Sequence, residues 1–585
     1  MKVRWLSRTF AAVAVAAMVA AACSSSPSTG GGATPTASGK PVAGGKIVLG
    51  AEQYPECINP VTQCASASWL FWDTTIYLFP RPVIWGVDGK VAASPLISEL
   101  PSLDNGGLTQ SPFTVRYKIN TAAKWSDGTP ITCADFDFTR NAILNTKGTY
   151  TTVGYAATPG GSGISSIDCT DPHTAVLKFS GPFADWPDVF GGGAFGLLEK
   201  AAFPNVNAAK PDVSKEMQSS ISFSGGPWKL QSWSTQQTVL VPNTNYWVKN
   251  SLGRPTYFDQ VTIVPRTDAT TEVNDLLSGA IDAIYPQPDV SQAKLFASNS
   301  AVKFVGTPGQ YFESLWFNTS KAPFNDPVVR NGLYWAVDRQ KVVSTLINPV
   351  DKTQTGPLGC GIFALAGTFW CDTQPFAQFH YDTNMVTQVM TAGGYAKDSK
   401  GFWAKGGQEV KFVYETTMKP RRIQTQALLK EGMTAAGFNV TLKVDDATLL
   451  FETKLPKGDF QLADFAEGAI LDPSPTSTFA CDFIPTAGNG YAGANDFRWC
   501  DQQATTLMKQ SDSELDPVKR RSLLDQMYAL QAKDFAPGIP LYVLPNVTAW
   551  RTDKLAGPVG TWTQSAYSGF YNVDQWFCAR AGACG

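Results

Sequence analysis

Short runs of alternating hydrophobic and polar positions, broken by turn residues and by stretches of helical period, lay out most of this chain. Residues 116–119 alternate as a half-buried strand does, Ser126, Asp127 and Gly128 carry turn chemistry, and Thr132 caps a helix whose third residue, Asp135, completes a capping box. Further strands are read at 46–50, 174–179 and 258–263. A helix over 269–277 ends at Gly279, where a left-handed cap belongs, and a strand over 281–285 follows. Strand, helix and strand in that order predict a crossover unit in a mixed or parallel sheet, so the fold class is α/β. Residues 311–318 are strand-like, and Asp326 with Pro327 starts a helix that runs through Val337, after which Asp338 and Arg339 open another. The apolar run 68–79, with Trp69, Phe71, Trp72 and Tyr77, reads as a helix whose aromatics belong to a core before a site. Residues 459–463 read as a strand.

A chain of 585 residues exceeds one hydrophobic core, which predicts two or three lobes. Charged residues are few, at 16%, while aromatics reach 12% with 17 Trp, the balance of an ordered protein with sticky clefts. The amino terminus reads as an export signal over residues 1–22, with Lys2, Arg4 and Arg8 ahead of an apolar stretch too short to span a bilayer. Its removal takes the net charge from −2 to −5, which leaves no basic excess for phosphates, and no nucleic-acid partner is expected. Ala20, Ala21, Ala22 and Cys23 resemble a bacterial lipobox, with Ala20 standing where Leu is usual. Acylated Cys23 would hold the protein to the outer face of the cell membrane by lipid alone, with residues 23–45 as a Ser/Gly/Thr/Pro-rich tether; simple secretion is the alternative.

The other ten cysteines fall into close pairs: Cys57/Cys64, Cys133/Cys169, Cys360/Cys371, Cys481/Cys500 and Cys578/Cys584. An even count in an exported chain argues for disulfides, and nearest-neighbour pairing is expected, although spacing alone leaves connectivity open. Zinc is poorly served, since no CxxC occurs and the two histidines, His173 and His380, stand far apart. Neither metal nor cofactor is expected. The GxGxxG spacing at 488–493 lacks a preceding strand of useful length, and no Walker A, HExxH or GxSxG sequence is present. A carboxylate-dependent hydrolase is the one enzyme class that spacing leaves open.

One resemblance organises these readings. Lys124, Trp125, Ser126, Asp127, Gly128, Thr129 and Pro130, followed by Ala134, Asp135 and Phe136, are similar to a block of the family-5 extracellular solute-binding proteins, the oligopeptide, dipeptide and nickel receptors of ABC importers. Further blocks follow in family order: Gly225 to Leu230 in sequence, Gly279 with Asp282, Phe317 and Asn318, Asp326, Val329 and Arg330, Asp338 and Arg339, then Ile539 to Tyr542. The resemblance implies a two-lobed periplasmic-binding-protein-like fold of type II, with an extra subdomain in the first lobe and two hinge crossings near Gln310 and Leu541. It divides the chain into a first lobe over 46–93, 211–309 and 542–585, a subdomain over 94–210, and a second lobe over 310–541.

It also implies a monomeric receptor, not an enzyme, that closes on a peptide and presents it to an ABC permease; an oligosaccharide or a metal chelate is the alternative cargo. In peptide-binding members, a loop matched by residues 465–473 supplies the acid that pairs with the ligand's amino group, here Glu467 or Asp472. A desolvated ammonium left without such a partner costs several kcal/mol. Gln53 and Tyr54, with Gln310 and Tyr311, are placed to add main-chain hydrogen bonds, and Tyr54, Tyr311, Trp370 and Phe465 are candidates for pocket walls.

Overall fold

The computed structural model describes residues 40–585 except 67, 86–89, 151, 158–161, 192–195, 363, 365–366, 447–448, 469–473, 490, 492 and 562–568. The stretch read as an export signal, Cys23, most of the expected tether, Asp472, and Gly490 and Ala492 of the glycine-rich run lie outside the described residues.

The strands that carry the architecture are β1 (Lys46–Ala51), β2 (Leu108–Gln110), β3 (Phe113–Lys118), β4 (Ile164–Asp168), β5 (Thr174–Phe179), β6 (Trp228–Ser234), β7 (Gln237–Pro242), β8 (Gln260–Pro265), β9 (Ala283–Ile284), β10 (Val302–Phe317), β11 (Lys411–Thr417), β12 (Asn439–Asp445), β13 (Leu462–Gly468) and β14 (Gly538–Arg551). Ten of them form one mixed sheet in the order β12, β11, β13, β10, β14, β9, β1, β8, β7, β6. The helices used below are α1 (Cys133–Asn145), α2 (Ala269–Ser278), α3 (Pro327–Ala336), α4 (Pro420–Ala435), α5 (Gln502–Ser513) and α6 (Pro517–Asp534).

Local chemistry sets many of the boundaries. Asp135 reaches back to the Thr132 backbone N–H at 2.8 Å, closing the capping box that starts α1. Gly279 ends α2 at φ +85°, a conformation that costs a residue with a Cβ more than it costs glycine. Asp326 caps α3 through the Val328 N–H, with Pro327 in its first turn. The crossover unit is present: β8 and β9, joined through α2, each pair parallel with β1 from opposite sides. Two expectations need correcting. The run 68–79 is a broken helix, with a wide turn over Phe71–Thr75 between α-helical turns Ser68–Leu70 and Ile76–Leu78. The strand expected at 459–463 runs instead from Leu462 to Gly468, because its pairing partner in β10 continues that far.

Two large hydrophobic cores, with two smaller clusters beside them, sit along this single sheet. One gathers Trp125, Trp228 and Trp576 with Tyr77 and Tyr117, and the other gathers Trp316 with Tyr334, Tyr414, Tyr528 and Tyr542. Each such buried side chain stabilises its lobe by about 1.5–3 kcal/mol or more. The subdomain packs its own sheet, ordered β2, β3, β5, β4, onto the first core. Among the described strands β10 and β14 run through both halves, pairing antiparallel over almost their whole length with a break in register between Pro308 and Phe312. At that break Gly309 lies so close to β14 that a Cβ there would stand 2.5 Å from the Leu544 carbonyl oxygen. The five disulfides join Cys57 to Cys64, Cys133 to Cys169, Cys360 to Cys371, Cys481 to Cys500 and Cys578 to Cys584. All are local, so none staples the two halves together. Away from the hinge the halves touch again, where Arg520 of α6 meets Asp185 at 2.8 Å and the Ala184 N–H donates to the Asp512 carbonyl at 3.0 Å.

Candidate functional site

A cavity of about 240 Å³ opens between the two cores beside the hinge. From the first lobe it is lined by Glu52 and Gln53 after β1, by Trp69 and Trp72 of the broken helix, and by residues 285–288 after β9. The second lobe contributes Lys419, Arg421 and Arg422 at the start of α4, and Ala466 of β13. Tyr311, Leu544, Pro545 and Asn546 of the hinge strands complete it.

Strand alternation explains which side chains of the second lobe reach this side. In the β10–β13 pair, Tyr311, Glu313, Asp464 and Ala466 share one face, while Phe312, Trp316, Phe465 and Glu467 share the other. Helix α4 covers the first face. Its first turn holds no acid and begins with Lys419, Arg421 and Arg422, although the positive end of a helix favours anions. Glu313, fully buried, partly answers that charge: it accepts from Arg422 Nε and stands 3.4 Å from Arg421 Nη1. Burial opposes ionisation of Glu313, yet the Arg421 and Arg422 guanidinium groups hold its carboxyl below the ordinary value. Arg421 also donates to the Tyr542 hydroxyl, and Arg422 Nη1 donates to Thr417 Oγ1 at 2.8 Å. Asp464, equally buried, is pushed well up by desolvation and by the Glu313 charge, and it accepts from the Tyr414 hydroxyl at 3.2 Å. Two guanidinium groups therefore face one ionised carboxylate. The wall carries a surplus positive charge near neutral pH, with exposed Lys419 adding a second.

The first-lobe wall is aromatic and acidic. Trp69 and Trp72 meet edge to face at 5.0 Å, Trp72 and Tyr285 at 5.2 Å, and the Tyr285 hydroxyl donates to Asn546 Oδ1 at 3.3 Å. Glu52 Oε1 accepts from the Gln287 backbone N–H at 2.8 Å. Burial raises the Glu52 pKa, while the Gln287 bond and the Lys419 charge across the cleft pull it down. Behind it on α2, Glu272 is fully buried with no hydrogen-bond partner among the described residues, and desolvation followed by the Glu52 charge pushes it up to about 9. Burial thus favours the neutral form of Glu272, and Glu52 is the carboxylate of this wall that borders the cavity.

The residues singled out from sequence are distributed unevenly around the cavity. Gln53 and Tyr311 line it. Gln310 is half-buried in β10, and Tyr54 is exposed on the loop after β1. Phe465 does not line this cavity: it packs against Trp316 and Phe497, because the strand continues through it and turns it to the core face. Trp370 is likewise buried, under the Arg520 guanidinium at 5.7 Å. Glu467 follows Phe465 to the core face and is absent from the cavity lining; burial and the nearby Asp496 push it up to about 7. The residues that the sequence reading passed over are Arg421, Arg422, Glu313 and Asp464. A signal for them exists: basic residues in the first turn of a helix, where acids are favoured, and one Glu inside the apolar run of β10.

Comparison with known proteins agrees with this architecture. Residues 107–489 match the model of bacterial extracellular solute-binding proteins, family 5 Middle. The oligopeptide-binding protein AppA of Bacillus subtilis is 24% identical over 577 residues, 97% of each chain. The probable D,D-dipeptide-binding periplasmic protein DdpA of Escherichia coli is 24% identical over 323 residues, 55% of this chain and 58% of that protein. Among solved structures, a periplasmic EDTA-binding protein, EppA, superposes with a TM-score of 0.77 at 19% identity, covering 94% of this chain and 100% of its own. The chain belongs to the family-5 bacterial extracellular solute-binding proteins, the receptors of ABC importers for peptides and related solutes.

Proposed function

We propose that this protein captures short peptides in the cleft between its lobes and delivers them to its permease, acting as a monomeric receptor without catalytic turnover. The observation that carries this reading is the surplus positive charge at the start of α4, with Arg422 lining the cavity and Glu313 neutralising only one of two guanidinium groups. Such a site takes a carboxylate, the group every free peptide presents at its end. The peptide-binding relatives support the choice of cargo. Residues 310–541 are taken as the lobe that moves, 94–210 as the subdomain, and 46–93, 211–309 and 542–585 as the lobe that holds both termini; the two separate cores support this partition. Ligand closes the lobes by binding the closed form more tightly than the open one.

Cys23, followed by a Ser-rich tether, is proposed as the lipid anchor at the outer face of the cell membrane. Loss of fatty-acid labelling and of membrane fractionation in Cys23→Ala tests it. For the cargo, titration calorimetry of the wild type with free-termini peptides, run beside a hydrolysis assay, is expected to give saturable binding, compaction in small-angle scattering and no cleavage. Cleavage at a catalytic rate would return the protein to the hydrolase class. A polycarboxylate metal chelate is the second reading, because the same arginine-rich wall suits any carboxylate and the solved relative above is named for EDTA. Competition between a peptide and Ni-EDTA decides between them.

A further inference from the structure

Outside the hinge strands the two halves meet a second time, and there each half lends a side chain to the other's core. Trp85, on the antiparallel pair of Val83–Trp85 with Val91–Ala93 in the first lobe, is buried with the second core. Leu515, in the turn between α5 and α6, packs against the first core. On the same corner of the second lobe, Arg520 Nη2 stands 2.8 Å from Asp185 Oδ1, with the two side chains 2% and 20% exposed. The Arg520 guanidinium also lies over the Trp370 ring at 5.7 Å. Beside this pair the Ala184 N–H donates to the Asp512 carbonyl at 3.0 Å, and the Asp512 side chain accepts from Ser474 Oγ at 3.2 Å, which ties the chain after β13 to the same corner. Both sides are held from behind. Phe183 and Trp186, flanking Ala184 and Asp185, are buried in the first core, while Met508 of α5 and Leu524 of α6 are buried in the second. Neither Trp85, Asp185, Leu515 nor Arg520 lines the cavity between the lobes, so the contact forms from protein groups alone.

Such a contact has a definite energetic sign. Apolar side chains that return to water when the lobes part favour the closed form while they are buried. The ion pair sets how closely the surfaces must fit, because a buried Arg520 without Asp185 opposite it would oppose closure. Each of the five disulfides lies within one half, so no covalent bond among them prevents the contact from opening. We propose that this contact is a latch: Arg520, Asp185, Trp85 and Leu515 hold a share of the receptors closed before any ligand arrives, and so set how many stand open to receive one. The inference rests on the reading of the chain as two lobes that move about β10 and β14, and goes beyond it by naming residues remote from the cavity that set the closing equilibrium. A cleft that binds in its closed form has an apparent affinity scaled by the fraction already closed. The latch residues are therefore positioning residues, and they change the affinity for every cargo by the same factor, whereas Arg422 acts only on a cargo that carries an anion.

The test uses the full chain without ligand, dialysed until native mass spectrometry finds no bound small molecule. Asp185→Lys sets a like charge against Arg520 while Phe183 and Trp186 still hold the loop, Leu515→Ser removes the exchanged apolar side chain, and Asp185→Glu keeps the charge. Hydrogen exchange of segments 180–188 and 512–520 reads the contact itself, and the radius of gyration from small-angle scattering reads the lobes. In Asp185→Lys and Leu515→Ser both segments are expected to exchange at least ~threefold faster than in the wild type, with a larger radius of gyration and with β8 and β13 unchanged. Asp185→Glu is expected to give the wild-type values. Unchanged exchange at both segments in the first two variants overturns the latch and leaves the two-lobe reading standing. Faster exchange at an unchanged radius overturns both, because the contact then frays without the lobes parting. Faster exchange that spreads into β8 and β13 assigns these residues to support of the cores, and the latch falls.

Discussion

Two charge clusters with buried acids lie on neighbouring strands of the second lobe, each made of two cations and two acids, and they behave in opposite ways. In one, Lys454 contacts Glu415 and lies 2.9 Å from Asp445, while Lys443 lies 3.0 Å from Asp445 and 3.5 Å from Glu415. Burial disfavours the charge on Asp445, but hydrogen bonds from Lys454 and Lys443 hold its carboxyl below the ordinary value. That cluster is balanced. In the other, Arg421 and Arg422 face Glu313, while Asp464 is driven towards its neutral form by burial and by the same Glu313. The residue inventory is matched, and the protonation is not. A closed, neutral cluster stabilises the fold; an unbalanced one beside a cavity attracts an anion from outside.

The largest effect expected is on the balanced cluster. Lys454→Met removes the buried cation from Glu415 and Asp445, leaving them only the more exposed Lys443, and should cost about 3 kcal/mol in denaturant unfolding, leaving peptide affinity in the surviving folded fraction unchanged. A loss of affinity of the same size would erase the distinction between the clusters. Next comes Arg422→Gln, expected to weaken peptide binding by ~2–3 kcal/mol, roughly a hundredfold in Kd, with stability little changed because Arg421 still pairs with Glu313. Calorimetry with parallel thermal melts measures both.

Asp464→Asn sharpens the comparison through pH. The folded pKa of Asp464 lies above its unfolded one, so it contributes stability that is complete below the ordinary carboxylate range and is lost as pH rises through the raised value. Over that same rise the wall loses its surplus charge. Wild-type affinity for peptide should therefore fall further on the alkaline side than that of the Asn variant, which shares only the loss due to the peptide's own ammonium, a difference of about 1 kcal/mol. The smallest effect belongs to Glu467→Gln, whose side chain shares the core face with Phe465: a change in Kd of about twofold or less is expected, within ~0.4 kcal/mol. A large loss would bring the loop after β13 back into the site.

Much of the fold was legible because its signals are local. The Thr132 and Asp135 capping box, the left-handed Gly279 and the Asp326 cap with Pro327 each depend on a few adjacent residues, and each stands where the sequence puts it. The family blocks point to the strands that run between the two large cores, since β10 and β14 pass through Gln310 and Leu541. The site was less legible because it is assembled from distant strands. Phe465 and Glu467 read as loop residues until β10 is seen to pair with β13 as far as Gly468, and that pairing turns both to the face opposite Glu313 and Asp464. Arg421 and Arg422 read as an ordinary basic run. Only the approach of Glu313, more than a hundred residues earlier in the chain, gives them a role.

The placement of β14 also fixes the order in which the molecule can be completed. It is the last long strand to be made, yet it lies in the middle of the sheet, with β10 on one side and β9 on the other. Pairs such as Lys303 with Trp550 close across the whole second lobe, a separation that slows folding far more than it weakens the finished structure. Until β14 arrives, β9 and β10 each present an open edge in the centre of the sheet, and neither half can be finished without the other. The chain therefore reaches its native form only after almost all of it has been made, and no half of the sheet closes early.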